Sequence, residues 1–187
     1  MLLGADAGLA EELSADVALL QGLDAVDEIH VWAGAQNVED IAGMDKVAAV
    51  HSGQATRDAA IFEALTAIRP KAGDEDLVLI ADAERRSLTE SNASSCLSVA
   101  AEQGAAILGS QVAGDVILSD HAGRLAGQPR DGATFLAAGL LVIQFGRMFD
   151  LYDWASTVAK GSIDSPYRWS LSQLGAVVVP SDGSEPR

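Results

Sequence analysis

Asp82, Glu84, Arg85 and Arg86 place two carboxylates and two guanidiniums within a single short stretch. Acids at i and i+2 can hold a hard cation such as Mg2+, with phosphate oxygens completing its shell. An arginine beside them can grip a phosphate through two parallel hydrogen bonds. Together they suit the handling of a metal-bound phosphate. The same residues would equally make a salt-bridged turn at the surface. The element that delivers them is Leu77-Val78-Leu79-Ile80, a short apolar run fed by the charged segment Lys71 to Asp76. Its length and bounds predict a buried strand. Open α/β sheets take their ligands at the C-terminal ends of such strands.

Other groups able to do chemistry are sparse. His30, His51 and His121 stand far apart in the chain, with no H-x-x-x-H spacing and no cysteine partner, so ligand spacing gives no support to zinc. His30 is expected to line a strand and His51 to end one. There is no G-x-S-x-G elbow, no Walker loop and no G-x-G-x-x-G. Arg57 and Arg130 could each touch a phosphate. Asp58 or Glu63 for the first, and Asp131 for the second, offer ion pairs instead. Trp32, Trp154 and Trp169 are too scattered for a base-stacking platform and are expected in the core or at an interface. Cys96 is the one cysteine, so no internal disulfide can form and a reducing compartment is compatible. It lies in an apolar helical run and is expected to be a small core residue.

The elements that must position these residues alternate. Strands are predicted near Met1–Leu3, Glu28–Ala33, Lys46–His51, Leu77–Ile80, Ala105–Val112, Phe135–Phe145 and Ala176–Val179. Helices are predicted over Glu11–Leu23, Asn37–Gly43, Arg57–Ile68, Thr89–Gln103, Met148–Lys160 and Pro166–Leu174. Thr56 should cap the third of these, Arg69-Pro70 should stop it, and Gly104 should close the fourth. Asp115 to Arg130 alternates weakly around the turn signal Ser119-Asp120-His121-Ala122-Gly123, which marks a hairpin or arm. The pattern predicts one α/β domain over 1–180, with a mostly parallel sheet flanked by helices on both faces, and a polar, disordered tail at 181–187.

The 187 residues are 49% hydrophobic, enough for one domain with its own core. A net charge of −15 argues against nucleic acid and anionic membrane as partners. No apolar run approaches the roughly 18 residues of a membrane span and no basic leader precedes an apolar segment, which predicts a cytoplasmic protein. The charge also opposes a nucleotide site unless a cation or local arginines offset it.

Read in order, the chain resembles the 2-C-methyl-D-erythritol 4-phosphate cytidylyltransferase family. Val26-Asp27-Glu28-Ile29-His30-Val31-Trp32 is similar to that family's V-D-E-I-V-V-V strand. Gly53-Gln54-Ala55-Thr56-Arg57 and the helix after it resemble its glycine pair, arginine and R-x-x-S-V-x-x-G-L helix. Val78 to Arg86 matches V-L-V-H-D-A-A-R-P at Asp82, Ala83 and Arg85. Asp115-Val116-Ile117-Leu118 stands for D-T-[IM]-K, Arg130 for an arginine after the arm, and Ile163-Asp164-Ser165 faintly for T-D-[DE]-A-S. The likeness runs from about Gly22 to Gly183. It implies a nucleotidyltransferase fold of the glycosyltransferase-A-like, Rossmann-like type with a projecting β-arm. It implies CTP and a sugar phosphate as partners, with Mg2+ held by Asp82. It implies nucleotide contacts at Gly53, Arg57, Ala83 and Arg85, a substrate contact at Asp115, a catalytic Arg130, and a homodimer through the 112–130 arm.

The departures fall on the machinery of transfer. The family's N-terminal G-x-G-x-R…P-K loop wraps the triphosphate and neutralises charge as it develops, the dominant catalytic term in such reactions. Here Met1 to Leu9 is similar to its start, but no Arg or Lys precedes Lys46. Ala60 replaces the helix serine, Val116 and Leu118 replace the arm's Thr and Lys, and Leu141 to Ile143 stands where the family has T-P-Q. The late K-[IV]-T segment has no match. The resemblance therefore implies a weak or inactive homologue with a vestigial pocket. The alternatives are an active nucleotidyltransferase with another substrate, or a structural or regulatory partner protein.

Overall fold

The computed structural model describes residues 2–5, 10–33, 39–52, 56–82, 88–112, 118–119, 125–127, 135–157 and 175–181. In chain order its elements are β1 (Leu2–Ala5), α1 (Ala10–Gln21), β2 (Ile29–Ala33), α2 (Glu39–Ala42), β3 (Val47–Ser52), α3 (Arg57–Ile68) and β4 (Leu77–Asp82). These are followed by α4 (Glu90–Gln103), β5 (Ala105–Gln111), β6 (Leu118–Ser119), β7 (Leu125–Gly127), β8 (Phe135–Gln144), α5 (Phe145–Thr157) and β9 (Val177–Pro180).

Seven strands form one sheet in the order β3-β2-β1-β4-β8-β5-β9. All run parallel except β8, which is antiparallel to both β4 and β5. The two-residue period of the strands sends alternate side chains to opposite layers. Val78 and Ile80 of β4, with Leu141 and Ile143 of β8, join Ile61 and Leu65 of α3 and Phe145, Met148 and Tyr152 of α5. Leu79 and Ala81, with Leu140 and Val142, join Leu13, Val17 and Leu20 of α1 and Ala93, Cys96 and Ala100 of α4. Both faces are therefore covered, which is why β4 and β8 read as continuous apolar runs. Burying each such Leu or Ile stabilises the fold by about 1.5–3 kcal/mol. Cys96 is fully buried, as its apolar neighbours predict.

Local chemistry fixes the helix ends. Thr56 Oγ1 accepts from the Ala59 amide at 3.3 Å, and Thr89 Oγ1 from the Asn92 amide at 3.1 Å. Each supplies an acceptor that the first turn lacks. Gly104 sits at φ 83 and closes α4 in the left-handed conformation that glycine adopts without strain. Thr89 is thus the cap of α4 and not its first residue. β4 runs to Asp82, two residues beyond the predicted end at Ile80. α5 starts at Phe145, three residues before the predicted Met148, and β8 passes into it without a loop. The Phe145 amide donates to Asp76 O at 2.6 Å and the Gly146 amide to Asp74 O at 3.0 Å, so the charged segment before β4 satisfies the start of α5.

β6 and β7 pair antiparallel as a separate two-stranded ribbon, the hairpin expected within the arm. Its turn lies outside the described residues, as do the helix predicted at 166–174 and residues 182–187. Ser181 is still tied to the sheet, its amide donating to Gly109 O at 3.0 Å.

Candidate functional site

β1 to β4 are mutually parallel, so the chain leaves one common edge of the sheet after Ala5, Ala33, Ser52 and Asp82. Asp82 pairs in register with Gly4, which on its other side pairs with Trp32. The end of the central strand therefore lies beside the end of β1, at the edge where such sheets bind ligands. Only the backbone of Asp82 is described.

Arg57 is the first residue of α3, directly after the cap. That helix begins at the same edge, where free amides and the positive end of the helix dipole favour an anion. Asp58, next in the turn, accepts a 2.7 Å hydrogen bond from the buried Tyr152 hydroxyl. This bond ties the start of α3 to α5.

The other described cations lie at the opposite end of the sheet. Lys46 opens β3 and donates to Leu23 O at 2.8 Å. Arg69 ends α3, pairs with Asp74 at 2.9 Å and lies over the rings of Phe145 and Phe149. Lys71 holds Glu28 at 2.8 Å. Arg147 stands against Gly104 at the start of β5. A cleft of about 650 Å3 opens at this far end, lined among others by Glu28, Lys71, Asp76, Leu77 and Leu97. It adjoins the beginnings of β2 and β4, the length of a strand away from Asp82, and is not the pocket to which the acidic and basic motif points.

The structure thus brings Arg57 and the backbone of Asp82 to one edge. Gly53, Ala83, Arg85, Asp115 and Arg130 lie outside the described residues. Of the positions where the chain departs from the cytidylyltransferase pattern, Ala60 and Leu141 to Ile143 are all buried in the core. Among the described residues no group of three or more His, Cys, Asp and Glu side chains is placed to hold a metal. A magnesium ion bound together with a nucleotide needs only one or two carboxylates, because phosphate and water fill the rest of its shell.

The histidines require a correction. His30 and His51 are not far apart: β2 and β3 are neighbours, the ring planes are 16° from parallel with centroids 5.5 Å apart, and His30 Nδ1 lies 3.2 Å from His51 Nε2. His30 Nε2 meets Glu28 Oε1 at 2.7 Å and His51 Nδ1 meets Glu63 Oε1 at 3.2 Å. The hydrogen bond from Lys71, and after it that from His30, hold the Glu28 carboxyl below its ordinary value. Burial pushes His30 below the ordinary imidazole value, against the pull of Glu28. Separation along the chain hid this pairing, since strand adjacency cannot be read from either segment alone.

The fold is a helix-flanked mixed sheet with a separate ribbon between β5 and β8, and solved nucleotidyltransferases share it. Among solved structures it is similar to 4-diphosphocytidyl-2C-methyl-D-erythritol synthase from Anaerococcus prevotii, at TM-score 0.75 and 17% identity over 97% of this chain and 86% of that one. It is similar also to 2-C-methyl-D-erythritol 4-phosphate cytidylyltransferase of Francisella tularensis, at TM-score 0.70 and 16% identity over 97% and 90% of the two chains. The Thermus thermophilus cytidylyltransferase gives TM-score 0.66 and 17% identity over 97% and 88%. No family model and no curated protein matches the sequence. Among the described residues no helix is long and apolar enough to cross a membrane.

Proposed function

We propose that this protein is a nucleotide-binding homologue of the 2-C-methyl-D-erythritol 4-phosphate cytidylyltransferases that retains little or no transferase activity. One observation carries the reading. The chain matches the fold of those enzymes over 97% of its length, yet no Arg or Lys precedes Lys46, where their triphosphate loop would need them. Phosphoryl transfer proceeds through positioning and charge neutralisation, so a site poor in cations holds a nucleotide better than it turns one over. Removing several such groups together abolishes most catalysis, although the losses are not additive.

In this reading Asp82 faces Mg2+, Gly53, Arg57, Ala83 and Arg85 surround CTP or a related nucleotide, and Asp115 meets a sugar phosphate. Arg130 is the surviving catalytic arginine. Mg2+ would supply the charge neutralisation that the N-terminal segment lacks. The 112–130 arm joins two copies into a homodimer, and the protein works in the cytoplasm within or beside isoprenoid precursor synthesis.

Calorimetric titration with CTP and Mg2+ tests the binding. Replacing Asp82 with Asn should weaken it, and a variant that binds as well as the parent would make Asp82 a plain turn residue. Pyrophosphate release from CTP and methylerythritol phosphate should be negligible. Turnover on the order of 1 per second or faster would show a working enzyme instead.

A further inference from the structure

Glu28, His30, His51 and Glu63 form one continuous chain with a carboxylate at each end and two imidazoles between. Each of its three links needs one hydrogen. A carboxylate only accepts, so the ring nitrogens facing Glu28 and Glu63 must both carry protons, and the link between the rings needs a third. Two neutral imidazoles carry only two. With both rings neutral, one link is lost: His30 turns a lone pair toward Glu28, His51 turns one toward Glu63, or two lone pairs meet at the 3.2 Å contact between the rings. With both rings charged, two N–H groups collide at that same contact.

We propose that the pair is a one-proton site: it binds a single proton beyond the neutral state, carries it on His51, and with it fastens β3 to α3 across the 53–55 connection. The surroundings decide which ring is charged. His30 is 3% exposed, and Ile61, Ala64, Leu65, Ile68, Val78 and Ile80 enclose it. The charged or titratable groups that act on it are Glu28 from its own strand, His51 from β3, and the ammonium of the chain's N-terminus. Lys71, after α3, reaches Glu28 from outside. β4 and the facing stretch of α3 present only apolar side chains. Glu28 is shared with Lys71, while Glu63 of α3 bonds His51 near solvent. His30 therefore stays neutral, donating from Nε2 to Glu28 and accepting at Nδ1 from His51. His51 lies next to the last residue of β3 and Glu63 lies midway along α3, so the proton sets how firmly the end of β3 is held to that helix.

Histidine side-chain nitrogen NMR between about pH 5 and pH 8, the span around the ordinary imidazole value, decides this. The chain has three histidines, and a His121→Gln variant leaves only the pair to follow. The expected spectrum keeps His30 as the neutral Nε2–H tautomer throughout while His51 alone becomes an imidazolium, one proton in total for the pair. Replacing the exposed Glu63 with Gln, a change at the surface, should move that uptake to lower pH. Two protons taken up, a charged His30, or an uptake that Glu63→Gln leaves in place would overturn the proposal.

Discussion

Replacing Tyr152 with Phe should loosen the start of α3 while leaving the core filled. Tyr152 is 2% exposed, its ring stacks on Phe62 at 6.2 Å, and its hydroxyl donates to Asp58 at 2.7 Å. Phe keeps the ring and its contacts, so no cavity forms. What is lost is a hydrogen bond to a charged acceptor, worth about 1.5–3 kcal/mol. Asp58 is half-exposed and recovers part of that from water, which brings the expected cost to about 1–2 kcal/mol. For a domain of this size that is a fall in Tm of about 2–8 °C. Tyr152→Ala should cost more, about 3–5 kcal/mol, because the stacked ring goes as well. Urea denaturation of the two single variants, of Asp58→Ala, and of Asp58→Ala with Tyr152→Phe closes a double-mutant cycle. The cycle should give a coupling near 1 kcal/mol between the two groups. A Tyr152→Phe variant within about 0.3 kcal/mol of the parent, or a coupling near zero, would refute the claim that this bond ties α3 to α5.

Three further outcomes are expected. Gly146→Ala should destabilise by about 1–3 kcal/mol in urea, because an added Cβ would lie 2.8 Å from Asp74 Cβ and 3.2 Å from its Cα, in a segment held by backbone bonds. Burial raises the Cys96 thiol from 9.0 to about 11, so its contribution to stability is complete below pH 9.0 and is lost as pH rises through about 11; Cys96→Ala should lack that loss in alkaline denaturation. Light scattering should give a dimer that Leu118→Glu dissociates, since the β6–β7 ribbon is marginal alone and needs a partner surface; a parent mass near 19.3 kDa at micromolar concentration would reject the arm as an interface.

Much of the fold was legible because its signals are local. Thr56 with Arg69-Pro70 marks the ends of α3, and Gly104 the end of α4, through side-chain capping and a left-handed glycine, which act over a few residues. The start of α5 was not legible, because Phe145 continues the apolar run of β8 and its amide is satisfied by Asp76, a residue far away in the chain. The reversed direction of β8 left no mark either: a strand buried on both faces reads the same whichever way it runs. For the site, the Asp82 motif and Arg57 could be picked out from residue types alone. The His30–His51 pair could not, since it exists only once β2 and β3 are neighbours. Glu28 drew notice as the start of a strand and Glu63 as a partner for Arg57, and nothing in their spacing pointed to the rings between them.

Among the described residues the basic side chains divide between the two ends of the sheet. The seven strands and their helices depend on apolar periodicity, and Leu79, Leu141 and Ile143 serve that core whatever happens at the edge. Lys46, Arg69 and Lys71 serve it too, from the far end: each is bonded to a carbonyl or carboxylate that fastens a loop. Losing one of them would weaken the scaffold. Arg57, at the other end, sits inside a capped helix whose next residue is tied to Tyr152, so the same scaffold that holds α3 to α5 fixes where Arg57 stands.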